Sequence, residues 1–447
     1  LKNHPSGKLW NRLPGRLKMA AGVAAACTLL TGVPARAETV ISGQSDTILR
    51  MGHSEFQGSR DFFPAFEYLR LSVASTEKDG SSTSLHIGGW GRIDLGDKSF
   101  RDRYYDADLQ YGYLTYQGAK NNFTLNAGRQ FVVEGVATQK IDGIYLRNDF
   151  GAGFGAAAFI GSPVITEPNL RGDDFVFGGR ITHSLYKYYT VGISALKSFT
   201  ESSRYREEEG VDIWLHPIKQ LDVTGRSSYN SLTGGWMEHS YTVSFIPLDN
   251  LRLYADVSNI NYKDFFFRTT TSAFNVFNPL SNPTGFIDPN EKLLALGGGI
   301  AFNPIKNLTI AADYTHRHYD IAKAADYFGG KVAYSIPESF AAGVSVHRMD
   351  GRDDKFRYTE YRLYASKKIA HFDLTADLFN VNYDSRINGV RNAYTFAGAA
   401  SYEFNKNLKI GADVDYSKNP DFDDEVKGLI KLTYLFEVKF ADEGRAK

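Results

Sequence analysis

From residue 38 onward, apolar and polar residues alternate along nearly the whole chain. Leu85, Ile87, Gly89, Gly91, Ile93 and Leu95 share one face, and His86, Trp90, Arg92 and Asp94 share the other. Ala107, Leu109, Tyr111 and Tyr113 oppose Asp106, Asp108, Gln110 and Gly112. Leu251, Leu253, Ala255 and Val257 oppose Arg252, Tyr254, Asp256 and Ser258, and Leu408, Ile410, Ala412 and Val414 oppose Lys409, Asp413 and Asp415. A period of two places these residues on strands with one apolar face, not on helices. Runs between turn signals give about 22 strands, with 18 or 20 also open at the weakest boundaries.

One turn recurs: His216-Pro-Ile-Lys-Gln-Leu221, Ile246-Pro-Leu-Asp-Asn-Leu251, Asn303-Pro-Ile-Lys-Asn-Leu308 and the proline-free Phe404-Asn-Lys-Asn-Leu408. Proline removes a ladder donor and is expected to end a strand, after which Asn or Asp helps the chain reverse. With an even strand count all four fall on one edge, together with Lys78–Ser81, Ala119–Asn122 and Phe150–Gly153. The other edge is expected to carry longer loops, Ser162–Asp174, Glu201–Gly210 and Lys263–Asn290. The last of these is expected either to fold inward and narrow a pore or to cover its mouth. Short turns on one edge and long loops on the other predict an all-β fold, a transmembrane antiparallel up-and-down β-barrel with a periplasmic edge of short turns. A soluble β-sandwich also alternates. Its core would be dense in Leu, Ile and Val, whereas these apolar faces are broken by Gly and ringed by Tyr.

The final run agrees with this reading. Val426, Gly428, Ile430, Leu432, Tyr434, Phe436, Val438 and Phe440 form one apolar-aromatic face, with Lys427, Lys431, Thr433, Glu437 and Lys439 on the other. This resembles the terminal assembly signal of outer-membrane proteins, its end lying between Phe436 and Phe440, and implies recognition by the barrel assembly machinery.

Composition adds the compartment. Lys2, Lys8, Arg12, Arg16 and Lys18 precede an apolar stretch from Met19 to Val33, and Ala35-Arg36-Ala37 gives a small-x-small cleavage site. Residues 1–37 are therefore expected to be a cleaved signal peptide, followed by a barrel over 38–440 and a short periplasmic tail over 441–447. Cys27 only faintly resembles a lipoprotein box, because Leu29 and Leu30 continue the apolar stretch past it. Removing the leader takes away the one cysteine and six of 51 basic residues, leaving a formal charge of −6 against 51 acidic residues. Mild acidity argues against a nucleic-acid partner. Without cysteine the mature chain forms no disulfide, no thiolate metal site and no covalent haem attachment. Aromatic residues make up 14% of the chain, nearly all Tyr and Phe, which suits a barrel in contact with outer-membrane lipid.

A barrel this wide encloses water or a plug, so its inward faces should be polar. The candidate pore-lining residues are Arg92, Asp94, Asp106, Asp108, Arg252, Asp256, Asp313, Arg317, Glu360, Arg362, Asp373, Asp377, Lys409, Asp413 and Asp415. Facing charges of both signs would set a transverse field that orients hydrated solutes. Alternatively such pairs simply satisfy each other across adjacent strands. No catalytic constellation emerges and no enzyme is expected, with an outer-membrane enzyme built from a few rim residues as the minor alternative. There is no Gly-x-Ser-x-Gly, and His316-Arg317-His318 places two histidines on one strand face without a nearby carboxylate on that face, a rim pair in preference to a metal site. No cofactor or metal ligand set is expected.

Phe123-Thr-Leu-Asn-Ala-Gly-Arg-Gln-Phe-Val-Val-Glu-Gly-Val136, followed by Asp142-Gly-Ile-Tyr-Leu146, resembles the porin pattern of a strand carrying Gly-Arg-Gln. Gly89–Leu95 and Asp108–Leu114 continue the likeness. These segments are similar to porin-like proteins of metal- and sulfur-reducing bacteria, some of which sheathe a multihaem c-type cytochrome. The resemblance implies the outer membrane of a Gram-negative bacterium and two competing roles. One is a diffusion channel for ions or small hydrophilic solutes, with a homotrimer as one open assembly. The other is a barrel sheath around a separate cytochrome for transmembrane electron transfer.

Overall fold

A computed structural model describes residues 38–54, 60–96, 104–164, 174–185, 187–200, 203–265, 290–420 and 424–440. The expected leader with Cys27, the tail 441–447 and most of the expected loops 162–174 and 263–290 lie outside the described residues.

The strands follow one another around a closed antiparallel sheet. They are β1 Glu38–Ser54, β2 Arg60–Phe62 with Pro64–Thr76, β3 Ser82–Asp94, β4 Tyr105–Gln117, β5 Phe123–Glu134, β6 Ala137–Asp149 and β7 Phe154–Pro163. Next come β8 Phe175–Leu185, β9 Tyr189–Thr200, β10 Ser203–Ile218, β11 Leu221–Asn230, β12 Gly235–Leu248, β13 Leu251–Asn261 and β14 Lys292–Phe302. The series ends with β15 Leu308–Tyr319, β16 Lys323–Ile336, β17 Phe340–Gly351, β18 Arg357–Ile369, β19 Phe372–Ile387, β20 Val390–Asn405, β21 Leu408–Lys418 and β22 Asp424–Phe440. Both segments of β2 pair with β1 in one register, so the barrel has 22 strands, interrupted once at Phe63.

β22 closes the barrel on β1 in unbroken register from Thr39↔Phe440 to His53↔Val426. The terminal apolar face thus pairs through Phe440, not only to Phe436. At this seam Asp46, 4% exposed, accepts from Thr433 Oγ1 at 2.7 Å and lies 3.0 Å from Lys431 Nζ. Pairing of the first strand with the last closes the sheet on itself, as a wall in lipid requires.

The outer wall is apolar. Ile144, Ile160, Ile181 and Ile193 are exposed on it, while their sequence neighbours turn inward. Water would not tolerate a continuous band of this kind. No helix among the described residues is long and apolar enough to cross a membrane.

Periplasmic turns form as their residues dictate. In Phe404–Leu408 the Asn405 side chain accepts from the Asn407 and Leu408 N–H groups at 2.8 and 3.0 Å, an Asx turn. Asp79, in the turn before β3, accepts from the Ser81 hydroxyl and N–H, which holds its carboxyl below the usual range.

Three expectations need correction. Pro217 and Pro247 do not end their strands. β10 and β12 run through them, and the ladders shift register between Leu215 and Ile218 and between Phe245 and Leu248, as proline at a bulge permits. Of the loop expected over Glu201–Gly210, residues 203–210 are ladder instead, because β9 and β10 stay paired up to Thr200↔Ser203. In β4 the alternation is not continuous. Gly88 pairs with Tyr111 and Gly89 with Leu109, so Gln110 is bulged out. That bulge moves Tyr111 and Tyr113 to the inner face, where Tyr113 meets His86 at 5.1 Å, and leaves Leu109 outside.

Candidate functional site in the lumen

The inner wall is where candidate chemistry collects. Arg92 and Asp94 lie 3.4 Å apart, both under a tenth exposed. Arg362 pairs with Asp377 at 2.5 Å and Lys409 with Asp373 at 3.0 Å, the latter lysine also reaching Glu403 at 3.8 Å. Arg252 donates from Nε to Ser244 Oγ at 2.9 Å, and the Asp256 carboxylate lies over Gly297, where a Cβ would meet it at 2.6 Å. Arg252, Asp256, Asp313 and Arg317 are not brought together as a pairing set. Asp313 faces His347 Nε2 at 3.1 Å, whereas Arg317 lies 5.2 Å over the Tyr327 ring. Glu360 accepts from Tyr327 at 2.5 Å, and Tyr327 stacks on His347 at 5.1 Å. Asp106 accepts only from the adjacent Ala107 N–H among the contacts described, at 2.9 Å. Asp108 lies 3.7 Å from Arg129. Asp413 and Asp415 sit on the same inner face of β21, Asp413 opposite Ala399 and Leu429 and Asp415 opposite Ala397 and Lys427.

The histidines of β15 require another correction. On their own, outer face, Asp326 of the neighbouring strand accepts from His316 Nδ1 at 2.8 Å and from Tyr314 at 2.6 Å. A carboxylate is therefore present there, supplied across the ladder. Among the described residues no group of His, Cys, Asp or Glu has metal-holding geometry.

Sequence reading missed the feature that shapes the lumen. β4 and β5 pair only from Gln117↔Thr124 to Gly112↔Arg129. Above that point β5 leaves the wall and carries β6 inward with it. Gly128 makes the departure possible. Its φ is +126°, and a Cβ there would collide with the Gly112 carbonyl. Arg129 then bridges the gap, donating to Asp142 at 2.7 and 2.8 Å and to the Leu109 carbonyl at 3.0 Å. Gln130, 2% exposed, is held at 3.3 Å from the Gly143 carbonyl.

The turned-in hairpin packs on the inside of the wall. Val132, Ala137 and Ile141 join Phe159, Val176 and Leu196 of β7, β8 and β9 in a fully buried cluster. Its tip, Gly135-Val136, reaches farther. The Val136 N–H donates to Ser194 Oγ at 2.9 Å, and Val136 occupies the space above Gly210 that a side chain there would need. Arg206 donates to the Thr138 carbonyl and to Gln139, each at 3.3 Å. Beneath the tip, Glu134 accepts from Tyr145 at 2.6 Å and lies 3.5 and 3.6 Å from Arg147 and Arg180, while Arg180 also pairs with Asp212. Apolar packing and satisfied charges hold the hairpin in place. Its opposite face, with Phe131 and Val133 more than half exposed, looks away from the wall into the lumen.

The long loop expected either to narrow the pore or to cover its mouth is described only at its ends. Asn230 holds the Asp264 carbonyl at 3.0 Å, and Glu291 accepts from the Ile321 and Ala322 N–H groups at 2.9 and 3.0 Å.

No family model and no curated protein matches the chain. Among solved structures, a variant of the ferric enterobactin receptor PfeA from Pseudomonas aeruginosa aligns at 11% identity and a TM-score of 0.54, over 89% of this chain and 80% of that one. The siderophore receptor PirA from the same organism aligns at 13% identity and 0.52, with the same coverage. OccK3 (OpdO), also from P. aeruginosa, aligns at 10% identity and 0.43 over 90% of this chain and 96% of that one. The two receptor alignments establish a shared fold, that of an outer-membrane β-barrel.

Proposed function

We propose that the protein is an outer-membrane channel of a Gram-negative bacterium that passes ions or small hydrophilic solutes. The observation that carries this reading is the inward β5–β6 hairpin, which narrows a charge-lined lumen from one side. Paired charges on the inner wall, such as Arg362–Asp377 and Lys409–Asp373, keep that surface hydrated and give solutes a field to cross. The hairpin sets the width, and the wall charges set the preference among ions.

Reconstitution of the purified full-length barrel into planar lipid bilayers tests this. Discrete conductance steps in potassium chloride are expected. A barrel that conducts nothing alone overturns the reading. If electron transfer across liposomes then appears only when a multihaem cytochrome is added, the sheath role replaces it.

A further inference from the structure

The outer wall carries a groove of about 550 Å³ across β18–β21. Its floor is made of small side chains set opposite one another, Ala365↔Ala376↔Gly398 and, one step lower, Ala400↔Ala412. Leu374 and Val414 rise beside it, both exposed. At its periplasmic end stands Lys367, whose neighbours across the two ladders are Phe340 and Leu374.

Lys367 and Lys368 are adjacent in sequence but face opposite sides of the wall. Lys368 turns inward and meets Glu403 at 3.8 Å. Lys367 turns outward, and its ammonium lies 5.7 Å from the Phe340 ring centre with no ion pair among the described residues. A cation on a lipid-facing wall is costly unless it reaches the interface, and Lys367 is two residues from the last residue of β18 at the periplasmic rim. The phosphates of the inner leaflet lie at that level. The volume falls in the ~300–1,000 Å³ range of small-molecule sites, whereas a stable protein interface needs roughly 1,000 Å² or more of well-packed surface.

We propose that this groove seats one acyl chain of an anionic glycerophospholipid from the periplasmic leaflet, with its phosphate on Lys367. The proposal rests on the barrel spanning a membrane, not on what the lumen conducts. The small floor residues let the chain lie flush with the sheet, and Phe340 closes the end beneath the headgroup.

Native mass spectrometry of the detergent-purified, full-length barrel, incubated with phosphatidylglycerol or with phosphatidylcholine, tests it. The unmodified protein should retain phosphatidylglycerol several-fold more than phosphatidylcholine. Lys367→Gln should bring the two lipids level. Ala400→Phe, which fills the floor, should lower retention of both several-fold, with Ala412→Phe filling it from the next strand if that variant fails to assemble. Heat-modifiable mobility in gels confirms folding of each variant. Persistence of the phosphatidylglycerol preference in Lys367→Gln overturns the proposal, as does full retention by the filled variants. Ala400→Cys crosslinking to a second copy in native membranes would overturn it in favour of a barrel–barrel contact. Conductance is not read in any arm, so failure of the channel reading stays separate.

Discussion

The Val136 N–H donates to Ser194 Oγ at 2.9 Å, tying the tip of the β5–β6 hairpin to a wall strand 58 residues farther along the chain. This contact joins elements that share no ladder. It makes the lumen narrower than the strand count alone implies, and it depends on three consecutive decisions in the sequence. Gly128 lets the strand leave, Val132 gives it an apolar contact to bury against the wall, and Gly135 turns it.

Leu196→Ala should loosen the hairpin without opening the barrel. Leu196 is fully buried beneath the hairpin and forms no part of the outer wall. A Leu-to-Ala cavity costs about 2–5 kcal/mol, and here that cost falls on hairpin docking because the ladders are untouched. Single-channel recordings should show a larger and noisier conductance, with heat-modifiable gel mobility unchanged. Unaltered conductance would mean the hairpin does not set the width.

Gly128→Val acts on the same element through the backbone. At φ +126° a β-branched residue is strained by about 1–3 kcal/mol, and its Cβ would strike the Gly112 carbonyl as well. β4 and β5 should fail to part at this level. The expected outcome is a lower yield of assembled barrel and a lower urea midpoint, larger than for Gly398→Ala on the outer wall, where a Cβ has room.

The strands, their phase and the barrel were legible because period two is imposed by the pleat on every wall strand, and lipid outside and water inside reward it continuously. The bulge at Gln110 was hidden because Tyr suits either face, so moving Tyr111 and Tyr113 inward leaves the pattern looking regular. The hairpin was hidden for a related reason. Phe131-Val132-Val133 breaks the alternation, but a break of three residues reads as a strand end unless a second wall is known to lie behind it. Gly128-Arg129-Gln130 stood out as a motif. Its work, parting β5 from β4 and clamping the gap through Asp142, depends on partners in other strands. The same holds for His316, whose carboxylate partner Asp326 arrives across a ladder.

Charge selectivity should be separable from stability at Arg362 and Asp377. The Arg362 side chain is half-exposed in this inner-wall pair, so the pair contributes only ~0–1 kcal/mol to stability. Arg362→Gln should shift the reversal potential in a potassium chloride gradient toward cation preference, and Asp377→Asn should shift it the opposite way. Thermal unfolding should stay within a few degrees of the unmodified protein in both. Shifts of the same sign would mean that the pair acts through shape and not through charge.

Asp46→Ala should be the most damaging single change on the inner face of the closing seam. Asp46 is buried where β1 meets β22, accepting from Thr433 at 2.7 Å and Gln44 at 2.7 Å and facing Lys431 at 3.0 Å. Its removal takes the counter-charge from the partly exposed Lys431 at the ladder that closes the barrel and leaves the Thr433 hydroxyl and Gln44 amide without their acceptor, a loss of about 1–3 kcal/mol. Closure of the first strand on the last completes the barrel, so the loss should appear as slower assembly and as unfolding at lower urea concentration. The double variant Asp46→Ala with Lys431→Met removes both charges and should recover much of the loss, because an apolar pair needs no partner. Measuring heat-modifiable mobility across a urea series for the two variants decides the matter. Equal destabilisation of single and double variants would show that Thr433 and Gln44, not the lysine, account for the role of Asp46.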